Sequence, residues 1–361
     1  MSANKLNFFG RRIICLALGL VVVAFANGAY SMDTNNTIDD EFLVKSGGEE
    51  LYIRVRGQNI NNPVLLYLHG GPGELTGPLN FQAYAGPELE KRYIIGYLHQ
   101  RNTCKSPSVP IETLTVEQFI EDVYNVVAFL REKFNKDKIF LLGHSFGGIL
   151  GYMYLIEYED HHNIEKFVSA GGAFSADSLE ENGYKTAIEL AEKTDNQKAL
   201  DRLNTLGPPP YETFQEGMVW RMLIVGMLNG MKEGITKNFD MSKVMTVTGT
   251  EKTDPEWQKK MMTIANAMWN ELKTVDIEED VKKIHIPILM IAGAKDIMVP
   301  FTLMEKGYEN LGGEKEYFIL ENSNHMMFID EPDLFVTKVI EFFQKQKPGD
   351  GIIQSIVICE E

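Results

Sequence analysis

A chain of 361 residues, 44% of them hydrophobic, is long enough for one large α/β domain or two small ones with a sizeable core. A formal charge of −16 leaves no basic footprint for nucleic acid and makes a strongly anionic lipid surface an unsuitable partner. Three cysteines exclude a disulfide framework.

In chain order, residues 1–26 combine a basic flank, Arg11-Arg12, with an apolar run over 13–26 that ends in the small-x-small triplet Ala24-Phe25-Ala26. This is the pattern of a secretory signal peptide, with Asn27 as the first mature residue and export to the periplasm or medium as the consequence. The competing reading is an uncleaved membrane anchor, but the run falls short of the ~20 residues that a span needs. Once processed, the chain would keep no stable membrane association. Cleavage removes Cys15 and leaves Cys104 and Cys359, which allow at most one bridge. Residues 27–41 have turn composition without periodicity and read as a linker.

From residue 42, strands are predicted over 50–57, 63–70, 92–99, 138–143, 165–172, 286–293 and 316–320. Most are near-continuous apolar runs, as strands buried on both faces should be. Helical patterns fall between them over 116–134, 148–158, 302–311 and 332–344, the first opened by Thr115 and Gln118 as a capping box. The alternation implies a mostly parallel, doubly wound sheet covered by helices. It is interrupted once, over 174–281, where the pattern is helical and strand-free and holds nine of the 17 methionines. That stretch is expected to be an inserted cap on a core made of 42–173 and 282–347. Its methionines read first as fillers of an irregular helical core. The tail, 348–361, breaks at Pro348-Gly349 and turns apolar, with no role assigned.

Within the predicted strand-to-helix junction the sequence is "LLGHSFGGIL", 141–150. Gly143-His144-Ser145-Phe146-Gly147 fits G-x-S-x-G, a sharp turn that lifts a serine nucleophile out of the sheet. A serine needs a base at the same end of the sheet. Sites in open parallel sheets lie at the carboxyl ends of strands, which removes His161, His162 and His285, since they precede strands. His144 is too close along the backbone to reach its neighbour's hydroxyl. Of His69, His99 and His325, only His325 follows the last strand and satisfies the order serine, acid, histidine, leaving the other two as structural residues. Asp296 in "GAKDIMVP" is the candidate acid, placed also where an N-cap ahead of Val299-Pro300 would stand, and Asp177 is the second candidate. Backbone N–H groups must receive the charge that develops on an attacked carbonyl. "HGGPG", 69–73, directly after a strand, supplies one from Gly71, and Phe146 at the helix start supplies the other.

With "HGGPG", "GHSFGG", "GAKDIMVP" and "NHMMF" in this order, the chain resembles the α/β-hydrolase superfamily and, within it, the proline iminopeptidase-like branch, over about residues 42–346. "LGPPPY", 206–211, is similar to a cap segment of that branch. The resemblance implies the triad Ser145, Asp296 and His325 that the topology also selects. It has two departures. Where the branch carries Asp-Gln-Arg-Gly after the third strand, this chain has His99-Gln100-Arg101-Asn102, which changes both charge and turn geometry. The branch also holds the substrate's free amine with a tryptophan and glutamate motif in the cap, for which Glu271 beside Trp269-Asn270 is the candidate here.

The expectation is an exported serine hydrolase working through an acyl-enzyme without metal or organic cofactor, acting as an aminopeptidase on small peptides. A carboxylesterase or lipase with the same triad is the alternative enzyme, and a non-catalytic ligand-binding protein on this fold is the alternative of another class. An ammonium in a partly dry pocket needs a carboxylate, and residues 178–192 supply Glu180, Glu181, Glu189 and Glu192. The competing reading of that run is a solvated helix face.

Overall fold

Runs of Val, Ile, Leu and Tyr make strands whose two faces both need cover, and the sheet grows from them. Eight strands form: β1 (Ile38–Ser46), β2 (Glu49–Gly57), β3 (Val64–Leu68), β4 (Ile94–Leu98), β5 (Ile139–His144), β6 (Ile164–Ala170), β7 (Ile288–Gly293) and β8 (Lys315–Leu320). The computed structural model describes residues 36–228, 236–248 and 254–345. The expected signal peptide, the tail over 348–361 and Cys359 lie outside the described residues.

The strands stand in the order β1-β2-β4-β3-β5-β6-β7-β8. β1, β2 and β4 pair antiparallel, and every pairing from β4 to β8 is parallel. Period-2 alternation assigns each side chain to one of two cores. In β3, Val64, Leu66 and Leu68 pack with Phe119, Val123 and Leu130 of the Val116–Phe134 helix. Leu65 and Tyr67 point the other way, toward Phe81 and Phe335. Each such buried side chain contributes roughly 1.5–3 kcal/mol. Because β4 lies on one side of β3 and β5 on the other, the chain changes direction there, which opens a crevice at the carboxyl ends of β3 and β5.

One expectation is corrected. Residues 38–41, read as the end of a linker, begin the edge strand β1, which pairs with β2 from Ile38 opposite Gly57 to Ser46 opposite Glu49. The polar stretch is part of a half-buried strand: on one side Asp39 pairs with Arg54 at 2.8 Å and Glu41 with Lys105 at 3.2 Å, while on the other Ile38 and Val44 are buried. Helix ends also differ in detail. Thr115 Oγ1 accepts from the Gln118 N–H at 3.2 Å, but the Gln118 side chain turns to Glu121 and Asp122, so only half of the capping box forms. The 302–311 helix divides into a 3-10 turn, Phe301–Met304, and Glu305–Asn310. A helix not read from sequence, Gly77–Tyr84, follows the glycine-rich loop after β3.

Between β6 and β7 the described chain is helical: Ala176–Lys193, Gln197–Leu206, Phe214–Met227, Met241–Thr248 and Pro255–Leu272. The first three share a core of Ala187, Leu203, Trp220 and Ile224. The last lies on the loop after β4, where Lys260 Nζ donates to the carbonyls of Cys104 at 3.2 Å and Ser106 at 2.7 Å.

Candidate active site

Ser145 stands between β5 and the Phe146–Tyr158 helix with φ 53° and ψ −120°. A serine held there costs about 1–3 kcal/mol, so the surrounding packing must impose it. A Cβ on Gly143 would run into the carbonyl of Gly147, and one on Gly147 into the carbonyl of Leu68. Strand, turn and helix therefore meet backbone to backbone, which only glycine at both positions allows. The Ser145 N–H donates to the Ala170 carbonyl at 2.8 Å, pinning the turn to the end of β6. Phe146 is the first helical residue, so its N–H has no acceptor within the helix.

His325 follows β8 and Asp296 follows β7, and the structure joins them: His325 Nδ1 lies 2.8 Å from Asp296 Oδ2. The other carboxylate oxygen, Oδ1, accepts from the N–H groups of Met298 and Val299, each at 2.9 Å. The capping role and the histidine-facing role of Asp296 are thus both filled, one per oxygen. Their loops are packed against each other, since a Cβ on Gly293 would meet the carbonyls of Ser323 and Asn324. Burial opposes protonation of His325, yet the charge and hydrogen bond of Asp296, with the charge of Glu74 behind them, outweigh it and hold the imidazole pKa above its ordinary value. A Cβ on Gly171, next to the Ala170 that holds Ser145, would lie 3.5 Å from His325 Cε1. Serine, histidine and carboxylate are so gathered at one end of the sheet.

His69 and His99 are structural, as expected. His69 Nδ1 lies 2.8 Å from the Gly70 carbonyl and its Nε2 accepts from the Gln100 N–H at 3.2 Å, which ties the loop after β3 to the loop after β4. Burial, only partly offset by the Gly70 carbonyl, brings the His69 pKa down to about 4. His99 Nδ1 accepts from the Lys105 N–H at 3.2 Å. Arg101 is fully buried and grips Asp122 with two hydrogen bonds, at 2.8 and 2.7 Å, and donates to the Ser46 carbonyl at 2.9 Å. Asn102 has φ 57°, the left-handed backbone that a glycine would take without strain and that asparagine tolerates best among the rest. The turn geometry thought to differ there is therefore available to this chain. Cys104 is a buried free thiol, donating to the Leu75 carbonyl at 3.1 Å.

Other sequence candidates are not brought to the serine. Glu271 Oε2 accepts from the Val116 N–H at 2.8 Å and so caps the helix that begins there. Asp177 is exposed in the first turn of the Ala176–Lys193 helix. Of the four acidic residues on that helix, Glu181, Glu189 and Glu192 are exposed, and Glu180 is consumed by Arg221 at 2.6 Å and by the Trp220 indole N–H at 2.7 Å. The run is a solvated face with one buried ion pair.

Sequence reasoning missed Glu74. It directly follows "HGGPG", and its Oε2 lies 4.0 Å from His144 Nδ1. Burial raises its pKa, opposed by the charge of His325, by Asn80, which donates to Oε1 at 3.3 Å, and by the backbone of Gly70. Its position next to the glycine loop was the available signal. Asp330 was missed as well: its Oδ2 accepts from the Asn324 N–H at 2.9 Å, bracing the loop that carries His325. Among the described residues no group of three or more His, Cys, Asp or Glu is placed to hold a metal ion, and no helix is long and apolar enough to cross a membrane.

Comparison with known proteins shows the family. The alpha/beta hydrolase fold family matches residues 63–332, and the chain belongs to that family. It is 26% identical over 303 residues to "Probable aminopeptidase YbaC" of Bacillus subtilis (strain 168), covering 80% of this chain and 91% of that protein. It is 24% identical over 304 residues to "Proline iminopeptidase PfmaB" of Pestalotiopsis fici, covering 84% and 99%. Its resemblance is to the proline iminopeptidase-like branch, as the motifs imply. Among solved structures, the proline iminopeptidase of Mycobacterium smegmatis superposes with a TM-score of 0.62 at 16% identity, covering 84% of this chain and 97% of that one. An esterase from Exiguobacterium antarcticum gives 0.56 at 20% identity, covering 84% and 99%. Likeness at that identity is of fold alone, and the chain is a hydrolase by family.

Proposed function

We propose that this hydrolase is an aminopeptidase that acts on small peptides through an acyl-enzyme on Ser145. The acyl-enzyme rests on the pairing of His325 with Asp296 at 2.8 Å, the acid's second oxygen being fixed by two backbone amides, at the sheet end where Ser145 is held in its strained turn, and the aminopeptidase part is supported by the likeness to the two relatives named above. Ser145 Oγ attacks the carbonyl carbon of the substrate's first residue, and its proton passes to His325 Nε2. Asp296 keeps Nδ1 protonated and stabilises the imidazolium. The N–H groups of Gly71 and Phe146 receive the oxyanion. Loss of one such donor typically lowers turnover by ~10²- to 10³-fold. His325 then protonates the leaving amine, and water, activated by the same imidazole, releases the acyl group.

A fluorophosphonate probe is expected to modify the wild-type protein and not Ser145→Ala. Equal labelling of both removes the nucleophile, and no labelling of either favours a ligand-binding protein.

The second reading is a carboxylesterase, which would use the same Ser145 and the same His325–Asp296 pair. Hydrolysis of alanyl and prolyl arylamides, set against their N-acetylated forms and short-chain p-nitrophenyl esters, separates the two. Turnover of esters with none of arylamides supports the esterase.

Export is part of the proposal, supported by the basic flank, the apolar run and Ala24-Phe25-Ala26. N-terminal sequencing of protein recovered outside the cytoplasm should begin near Asn27, and an intact Met1 on a soluble cytoplasmic pool would contradict it.

A further inference from the structure

An aminopeptidase must find its substrate's ammonium very near its own nucleophile. The α-nitrogen and the attacked carbon are separated by two bonds of about 1.5 Å each, so the group that reads the amine has to stand beside Ser145. The five carboxylates of the helical insertion that the sequence singles out for an ammonium are unsuited to this. Glu180 is paired, Glu271 caps another helix, and Glu181, Glu189 and Glu192 face solvent.

Glu74 meets the requirement. The position that a Cβ on Gly70 would take lies 3.0 Å from Glu74 Oε2, 3.1 Å from Ser145 Cβ and 3.2 Å from His144 Nδ1, so the missing side chain of Gly70 leaves these three groups facing one another. His144 Nε2 lies 2.9 Å from the His325 carbonyl, which only accepts, so Nε2 carries the ring proton and Nδ1 a lone pair. Burial and the neighbouring His325 charge push the His144 pKa down to about 3, keeping that ring neutral. His144 is 1% exposed and its Nδ1 has no hydrogen-bond partner among the described residues. Glu74 Oε2 and this lone pair thus face each other across 4.0 Å with no hydrogen bond between them. Among the described residues no lysine or arginine is paired with Glu74: burial raises its pKa, and the charge of His325 is the main influence that opposes this. Its side chain is 16% exposed, so it is reachable from outside. An ammonium brings the missing donors and the missing positive charge together.

We propose that Glu74, with His144 Nδ1 beside it, seats the free α-ammonium of the substrate's first residue, so that the amine is read from the loop after β3 and not from the helical insertion. This rests on the aminopeptidase reading and names its specificity residue.

The test compares alanyl and prolyl arylamides with their N-acetylated forms in the full-length protein. Glu74→Gln, which keeps the shape and the Asn80 contact, should lower the ratio of kcat/KM for free over acetylated substrate by about 10- to 100-fold, the range of a hydrogen bond to a charged group. Glu74→Asp, which keeps the charge, should restore part of the ratio, and Glu181→Gln should leave it at the wild-type value. A ratio unchanged in Glu74→Gln, with both substrates falling together, overturns the proposal, because that is the behaviour of a residue acting only through His325. Inhibition of p-nitrophenyl acetate hydrolysis by L-prolinamide reads the amine seat independently. A tenfold or greater rise in its inhibition constant in Glu74→Gln supports the proposal even in a protein that cleaves no arylamide, where the aminopeptidase reading alone fails. Arylamide cleavage by the wild type with no inhibition by prolinamide overturns it.

Discussion

His144 Nε2 donates to the backbone carbonyl of His325 across 2.9 Å, so the residue before the nucleophile holds in place the residue assigned as its base. The two rings lie 4.9 Å apart, and Phe328 packs edge-on against His144 at 5.0 Å. The second position of the G-x-S-x-G turn is therefore not a free choice in this chain.

Replacing His144 by Phe keeps the aromatic packing and removes the donor. With an ester substrate, which carries no ammonium, His144→Phe should lower kcat by ~10-fold or more and leave KM within a few-fold, because a base out of position affects the transition state more than binding. A rise in KM at constant kcat would assign His144 to substrate binding alone.

The pH profile carries a sign. His325 acts as a base only when neutral, and Asp296 and Glu74 hold its pKa above the ordinary 6.5 in spite of burial. The acid limb of kcat/KM should accordingly fall above 6.5, with activity lost as pH drops through it. Asp296→Asn takes away the charge and leaves burial, so the limb should move to lower pH while turnover falls by roughly 10⁴-fold. An acid limb unmoved by Asp296→Asn, in profiles of the two proteins recorded side by side, would detach the carboxylate from the base.

Glu271 offers a contrast. Its oxygen is engaged by the Val116 N–H. Glu271→Gln weakens a favourable charge at a helix N-terminus, so a loss of under ~1 kcal/mol in urea unfolding is expected, with the preference for free over acetylated arylamides unchanged. A collapse of that preference would return amine recognition to the insertion.

What could be read from sequence, and what could not, follows from the kind of constraint involved. Gly143 and Gly147 announce the turn because backbone contact there tolerates nothing larger, and a steric prohibition is visible as a residue type. Asp296 and His325 were found because chain order and strand ends restrict an acid and a base to few positions. β1 was hidden because its acidic residues are neutralised by Arg54 and Lys105, on another strand and a distant loop, and a local window sees only a polar stretch. Glu271 beside a tryptophan has the right composition, but nothing local tells that its oxygen is already taken. Glu74 stands next to the glycine loop, but its meaning comes from His144, 70 positions away and brought beside it by the parallel pairing of β3 with β5.

The contact at Gly293 has a consequence for how such a chain is able to vary. The main chain after β7 presses directly on the carbonyls of Ser323 and Asn324, and Lys295 N–H donates to that same Ser323 carbonyl at 3.0 Å. At that contact no side chain stands between the two loops to absorb a change of length. A residue inserted into either would have to be matched in the other to keep Asp296 opposite His325. The stretch between β6 and β7 reaches the second of these loops through Asp330, whose Oδ1 accepts from Thr236 Oγ1 at 2.7 Å and from the Lys237 N–H at 2.9 Å, so a replacement for that stretch would have to supply the same brace.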